Sequence, residues 1–532
     1  MVTKLALQNA KNKSYRVLVS AIISMAAVVL PLCDSLLAAN YPLNIFNIEG
    51  TGNDNRIRFA YPGIEYRVRI GAEGGTYPFS WQLQQAPPGM SIEAATGRIT
   101  WVPPAAYDTA HTVTVSVRDK EGNVSSKSYS ILITTSTDRF LFIDAAATGT
   151  KTGSIAQPFA SLSEIWDSDH GGKIIYFRSG TYTIPHKNNI IRHASKTNIF
   201  STNPKSYLGY PGETVIIDEE CDPSIPDGGD GAGNYPGYLL NLFGGVHGVY
   251  FENLIFDNIY YYGLSSYGSN YLTVLNCRFR NAYTSDLSEN QSYINYMVGS
   301  SSGHFIADNT FGGEESSISG GSNFAAILTY TFYNGVIEDN IITGLPNSGI
   351  FLKSGIACVF VRHNRLFSVH GSAINLYAGD RGANGVEACF NLMKDCPAPI
   401  YLLNDVGNNI NQYIYRNTVV NTTADGPIIR GISSGYFSNV IFSNNVFHNV
   451  LADVGTIGTN SFSRHRCLFS YISVDEYNSV TFYDNLEGDN LVDSNGHLLN
   501  AADIGKYGWQ TGTEEYTSES MPPASPGNLI VK

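Results

Sequence analysis

Charge is scarce in this 532-residue chain: Asp, Glu, Lys and Arg together make up 15% of it. So few ionisable side chains imply a large core built from strands. Basic residues are the rarer sign, 33 against 46 acidic ones, for a formal net charge of -13. That balance argues against a nucleic-acid partner and against an anionic membrane surface. It leaves room for an anionic polysaccharide, because a local basic groove overrides the global sign. Cysteine is also sparse, seven in all, with no CxxC pair, so the usual zinc sites are excluded. The six cysteines beyond Cys33 are expected to be small buried side chains or, at most, one disulfide, with Cys389 and Cys396 the closest pair in sequence. Between Tyr250 and Asn485 a helical apolar period of useful length is missing as well.

What fills that stretch is repetition. It reads FENLIF, LNCRF, ADNTF, EDNII, RHNRLF, CFNLM, YRNTVV, SNNVF and YDNLE, each a short apolar strand, an Asn and another short strand. The Asn residues are Asn253, Asn276, Asn309, Asn340, Asn364, Asn391, Asn417, Asn445 and Asn485, spaced 23 to 40 residues apart. A period of this size signals stacked repeats. Units rich in Val, Ile, Phe and Tyr and punctuated by Gly, Asn and Ser are strands. One Asn per strand-built repeat predicts a parallel β-helix, with each Asn at an inward bend and its amide bonded to those above and below. Variation in period is then variation in loop length.

Ahead of the repeats the chain divides twice. Lys4, Lys11, Lys13 and Arg16 precede the apolar run Val17–Leu32, and Ala38-Ala39 close it. This is the pattern of a secretory signal over residues 1–39, so the mature protein is expected outside the cytoplasm, secreted or periplasmic in a bacterium. Residues 40–136 alternate with period two between Pro/Gly turns, which predicts a small β-sandwich with Trp81 and Trp101 in its core. Pro87-Pro88-Gly89-Met90, Thr96-Gly97-Arg98-Ile99 and Val117-Arg118-Asp119 resemble the Ig-like or cadherin-like modules of bacterial secreted proteins. No calcium-ligand run like that of true cadherins is present, so a spacer or docking role and no catalysis are expected.

The segment from Phe140, with Pro158-Phe159, a short helix at Leu162–Trp166 and strands at Lys173–Phe177 and Gly180–Ile184, is followed by Tyr210-Pro211-Gly212-Glu213. Together these resemble the opening of the pectate-lyase-like superfamily. They imply an all-β chain in which a right-handed parallel β-helix, residues 137–532, follows the small Ig-like sandwich. The helix would seal the open end of the coil.

A second, longer strand in each repeat runs YINYMV, AAILTYTF, SGIFLKSG, SAINLYAGD, PIYLLNDVG and PIIRGISSG. These stack into one broad sheet whose side chains alternate in and out. With Ile350, Leu352, Ile374, Leu376, Ile400 and Leu402 inside, the outward face is expected to carry Asn295, Thr329, Thr331, Lys353, Asn375, Tyr377, Tyr401 and Arg430. Neighbouring loops add His370, Asp380, Arg381, Asn404 and Asp405. The expectation is a polar groove with two or three cations that tracks a polysaccharide. Asp222, Asp227 and Asp230, in an acidic Gly-rich stretch, are candidate Ca²⁺ ligands, though their spacing fits no EF-hand and a solvated loop reads as well.

The run GIFLKSGIACVFVRHNRLFSVHGSAINLYAGDRG is similar to a segment of the alginate lyase and chondroitinase B family. The resemblance places the family's catalytic base on Lys353. The family's Arg falls at Leu376 or Tyr377, so Arg381, Arg430 or Tyr377 would replace it. Lyase chemistry on a uronate takes the proton α to the carboxylate and expels the 4-linked oxygen. The charge that builds on the carboxyl group needs a cation, Ca²⁺ or hydrogen-bond donors, and Asn375, Arg381 or a metal fit that need. Lys353 serves as base if burial or nearby cations lower its pKa, and Tyr377 can protonate the leaving oxygen. A glycoside hydrolase would need converging carboxylates, for which only Asp380 and Asp405 are placed. A uronate epimerase and a non-catalytic carbohydrate-binding β-helix stay open. The expected partner is an acidic polysaccharide, the expected state a monomer, and no cofactor beyond Ca²⁺ is implied.

Overall fold

The computed structural model describes residues 41–448, interrupted at 49–53, 105–109, 167–171, 184–204, 219–237, 244–247, 261, 269, 284–290, 298–300, 314–323, 422–428 and 432–435, with short strands beyond, out to residue 488. The 1–39 segment and the Asp222, Asp227 and Asp230 stretch lie outside the described residues. No helix among the described residues is long and apolar enough to cross a membrane.

Strands from Phe140 onward wind into three parallel sheets of thirteen, eleven and nine strands. Each strand pairs with its counterpart one coil later. One row of the thirteen-stranded sheet runs Glu252, Leu275, Ala307, Glu338, Arg362, Cys389, Tyr415 and Ser443. The chain is therefore the parallel β-helix its repeats predict. Inside, like residues stack: the Phe256, Phe279 and Phe311 rings lie nearly parallel at 4.8 and 4.9 Å, and offset stacking of this kind adds to simple burial. The helix Leu162–Trp166 forms where expected, with Leu162 and Ile165 buried against the first coils. Glu213 of the Tyr-Pro-Gly-Glu turn takes two bonds from Arg178 Nε, at 2.9 and 3.0 Å, and so ties the turn to the preceding coil.

The Asn ladder is present, with one change of phase. Asn309, Asn340, Asn364, Asn391, Asn417 and Asn445 form a continuous column, each Nδ2 donating to the next Oδ1 at 2.9–3.0 Å. The residue before each, Asp308, Asp339, His363, Phe390, Arg416 or Asn444, turns the corner with φ between 53° and 59°. Asn253 and Asn276 do not stand in this column. They occupy the corner itself, at φ 59° and 47°, and Cys277 takes the ladder place, donating its N–H to Asn309 Oδ1 at 2.9 Å. Asn tolerates the left-handed region better than most residues, so one residue type serves both positions. Asn485 lies outside the described residues.

The N-terminal part is the expected sandwich, a four-stranded sheet against a three-stranded one, with Trp81 and Trp101 buried at its centre. It is not held off on a spacer. Tyr41, Phe46, Phe59, Tyr61 and Ile64 pack on the outer face of the thirteen-stranded sheet, against Phe140, Phe142, Tyr176, Phe305 and Phe360. Beside this apolar seam Arg69 reaches from the sandwich to Asp308 at 2.6 Å, Glu338 at 3.0 Å and Asp339. Cys277, Cys358, Cys389 and Cys396 are free thiols. Cys389 Sγ turns to Glu387 and Cys396 Sγ to the carbonyls of Leu366 and Lys394, so the closest pair in sequence is not a disulfide.

Candidate functional site

The nine-stranded sheet holds the predicted residues, and its register decides which of them meet. Ile350, Ile374 and Ile400 pair in one row and Leu352, Leu376 and Leu402 in another. Both rows belong to the interior core. Between them, Leu328, Phe351, Asn375 and Tyr401 face outward in one row and Lys353, Tyr377 and Leu403 in the next, with Asn295 and Arg430 at register positions in these rows. Thr329 pairs with Leu352 and is fully buried, so it belongs inside rather than on the outer face. Aligning Ile327 with Ile350 would have placed it correctly, and would also have set Tyr330 beside Lys353. The side chains of Asn295 and Arg430 are outside the described residues; their strand positions are as expected.

The outer surface is more aromatic than the polar groove predicted from sequence. Ala325, Leu328 and Phe351 form a buried cluster with Tyr330 and Tyr377 packed against it. Lys353, the last residue of Ser348–Lys353, reaches over this cluster. Its Nζ lies 5.1 Å from the Tyr330 ring centroid, 5.4 Å from Phe351 and 5.8 Å from Tyr377. Ring faces attract the ammonium, while partial burial penalises its charge and lowers its pKa.

Tyr377 ends the next strand and is the register partner of Lys353. Its Oη donates to Asp405 Oδ2 at 2.9 Å. Burial first, and then the bond to Asp405, push the phenol up to about 12. Asn375 is 7% exposed, and its buried Oδ1 has no hydrogen-bond partner among the described residues. Several other buried polar atoms share this state.

Past the strand ends, three turns are clasped together. Ser354 sits at φ 56° and donates its N–H to the Tyr377 carbonyl at 2.7 Å. Its hydroxyl donates to Asp380 and accepts the Arg381 N–H at 3.1 Å. The Ser354 bond is the main cause holding Asp380 below the usual carboxylate range. Arg381 Nη1 donates to Thr331 Oγ1 at 2.8 Å. Thr331 and Arg381 thus belong to a brace under Lys353 and Tyr377, and Thr331 is itself buried.

Lys353, Tyr377, Asn375, Asp405, Asp380 and Arg381 are therefore brought together, with Tyr401 alongside Asn375. His370 is not. It precedes Ser372–Tyr377 and stands at the far end of that strand, on the order of 20 Å from Tyr377 at ~3.3 Å per residue. Tyr330, Phe351 and Ser354 complete the site without having been singled out in the sequence as substrate contacts. Among the described residues no group of three or more His, Cys, Asp or Glu side chains is placed to hold a metal. The arrangement offers one half-buried ammonium and one phenol backed by a carboxylate on an aromatic floor.

The Right handed beta helix region model matches residues 236–390, and the Ig domain model matches residues 52–134. Both parts of the fold thus carry their expected assignment, a right-handed parallel β-helix preceded by an Ig-like domain. None of the curated proteins matches the chain. Among solved structures, a Family 28 exopolygalacturonase of Yersinia enterocolitica aligns at 11% identity over 86% of this chain and 99% of that one, with a TM-score of 0.41. A pectate lyase aligns at 13% over 70% and 83%, TM-score 0.36. A rhamnogalacturonan lyase aligns at 12% over 69% and 96%, TM-score 0.32.

Proposed function

We propose that the chain is a secreted polysaccharide lyase that cleaves a uronate-containing glycan by β-elimination at the carboxyl ends of the broad-sheet strands. The carrying observation is the side-by-side placement of Lys353 and Tyr377 on adjacent coils, one a softened ammonium and the other a phenol. Elimination needs two proton-handling groups on one sugar, one to take the hydrogen α to the carboxylate and one to protonate the departing oxygen. The Tyr330, Phe351 and Tyr377 rings supply an apolar floor for a pyranose. The export signature at residues 1–39 supports action outside the cytoplasm. The protein is to be incubated with alginate, polygalacturonate and chondroitin sulfate while absorbance of the new C=C bond is followed. A signal with one polymer, lost in Lys353→Ala with the fold retained, supports the reading. Near-normal turnover in that variant removes Lys353 from the mechanism.

A hydrolase is the second reading, and one observation favours it. Asp405 bonds Tyr377, and Asp380 acts on the same phenol through space, so two carboxylates approach one point. Reducing ends released without a C=C signal would select that reading.

A further inference from the structure

We infer that Tyr377, backed by Asp405, takes the carbon-bound proton and that Lys353 delivers a proton to the leaving oxygen; this assignment rests on the lyase reading. It reverses the roles that the sequence resemblance implies for the lysine.

The direction of one hydrogen bond carries it. Tyr377 Oη donates to Asp405 Oδ2 at 2.9 Å, across neighbouring coils. A phenol held this way has its hydrogen committed to an acceptor, which leaves an oxygen lone pair to receive another. Were Tyr377 the acid instead, giving up its hydrogen would leave a phenolate against the Asp405 carboxylate. Asp380 would add a second negative neighbour, and like charges at such range strongly disfavour ionisation. The groups facing Tyr377 are Asp405, Tyr330, Asp380 and Lys353. Lys353 Nζ lies over the rings of Tyr330, Phe351 and Tyr377. Partial burial disfavours the charge on Lys353, so its ammonium gives up a proton more readily than one in water, and its Nζ lies 5.8 Å from the Tyr377 ring centroid.

The step balances within the site. The hydrogen α to the sugar carboxylate leaves as a proton to Tyr377 Oη while the phenol hydrogen passes to Asp405. The C–H electron pair becomes the new C=C bond. The C–O bond breaks toward oxygen, which takes a proton from the Lys353 ammonium. Asp405 then releases its proton to water and Lys353 regains one, so no further reactant is consumed. Asp405 acts through Tyr377 and is a positioning and proton-accepting residue.

The test is the pH profile of kcat/KM on whichever of alginate, polygalacturonate or chondroitin sulfate the wild type cleaves, with Lys353→Arg and Asp405→Asn beside it. Arginine stays protonated and donates, but it cannot serve as a base. The wild-type rate is expected to fall on the alkaline side, and Lys353→Arg to keep measurable activity without that fall. Asp405→Asn is expected to lower kcat by about a hundredfold or more with KM little changed. A wild-type rate that rises with pH through the lysine ionisation, with Lys353→Arg as inactive as Lys353→Ala, would make lysine the base and overturn the assignment while the lyase reading stands. A wild type that yields no unsaturated product from any of the three polymers takes both down.

Discussion

At the scale of single residues, identity and register position together decide what a side chain does. Lys353 and Tyr377 were legible because each ends a strand whose isoleucines and leucines fix which residues turn inward. Tyr330 was not, because Thr329 and Thr331 on either side of it suggested the opposite phase. Burial then settles what a titratable group is for. His304 is buried, with its Nδ1 accepting the Leu272 N–H at 3.1 Å and its ring stacked on Phe332. Desolvation pushes its pKa from 6.5 down to about 3. Between those values the unfolded chain takes up a proton that the folded one does not. Its contribution to stability is therefore complete above pH 6.5 and erodes as the pH falls toward 3. His304→Gln should be less stable at neutral pH yet lose less stability than the wild type between about pH 7 and about pH 5, as read by urea unfolding at each pH. Parallel slopes for the two proteins would show that His304 does not titrate this way.

At the scale of the coil, the Asn column is the element the fold depends on, and it was the clearest feature of the sequence. Its spacing alone specifies a stacked-coil architecture. What spacing could not show is that Asn253 and Asn276 stand one residue early, because a corner and a ladder position favour the same residue for different reasons. Within the column the Asn364 side chain makes five bonds: it accepts from Asn340 N–H and Nδ2, at 3.1 and 2.9 Å, and donates to the Ile337 and Arg362 carbonyls and Asn391 Oδ1, at 2.9, 3.1 and 3.0 Å. Truncation would leave these groups buried without partners, at ~1–3 kcal/mol for each one unsatisfied. Asn364→Ala should therefore cost about 3 kcal/mol or more in chemical denaturation. Asn364→Asp should cost at least as much, since it keeps the acceptor but turns a buried carboxylate oxygen toward the Ile337, Arg362 and Asn391 oxygens. Equal stability of Asn364→Ala and wild type would mean that the column is decoration rather than support. The same reasoning extends to the Ser354 clasp. Ser354→Ala removes the hydroxyl that links Asp380 and Arg381 and should lower kcat more than it lowers the melting temperature.

At the scale of the whole molecule, the sandwich and the coil share one buried seam that neither sequence segment announces. The sandwich was legible as a sandwich and the coil as a coil. Their contact was not, because residues such as Phe59 and Phe140 read as ordinary core positions within each part. Arg69 decides how firmly the two are joined. It is 4% exposed and faces Asp308, Glu338 and Asp339, while Arg98 adds a bond to Asp308 at 2.7 Å and Arg362 one to Glu338 at 2.8 Å. A buried ion network adds little net stability when whole, but removing one member leaves uncompensated charge at a cost of about 3–5 kcal/mol. Arg69→Ala should lose about that much in denaturant unfolding. The carboxylates set the acid side. Asp339 is held far below the usual carboxylate range by Arg69 and His363, so its stabilisation is present above the ordinary carboxylate pKa and is lost as pH falls below it. Arg69→Ala should flatten that acid dependence. The seam lies on the thirteen-stranded sheet and the proposed site at the ends of the nine-stranded one, so turnover per folded molecule should be unchanged in this variant. A large drop in kcat at full folding would mean that the sandwich reaches the site through the coil and is more than a cover for its aromatic face.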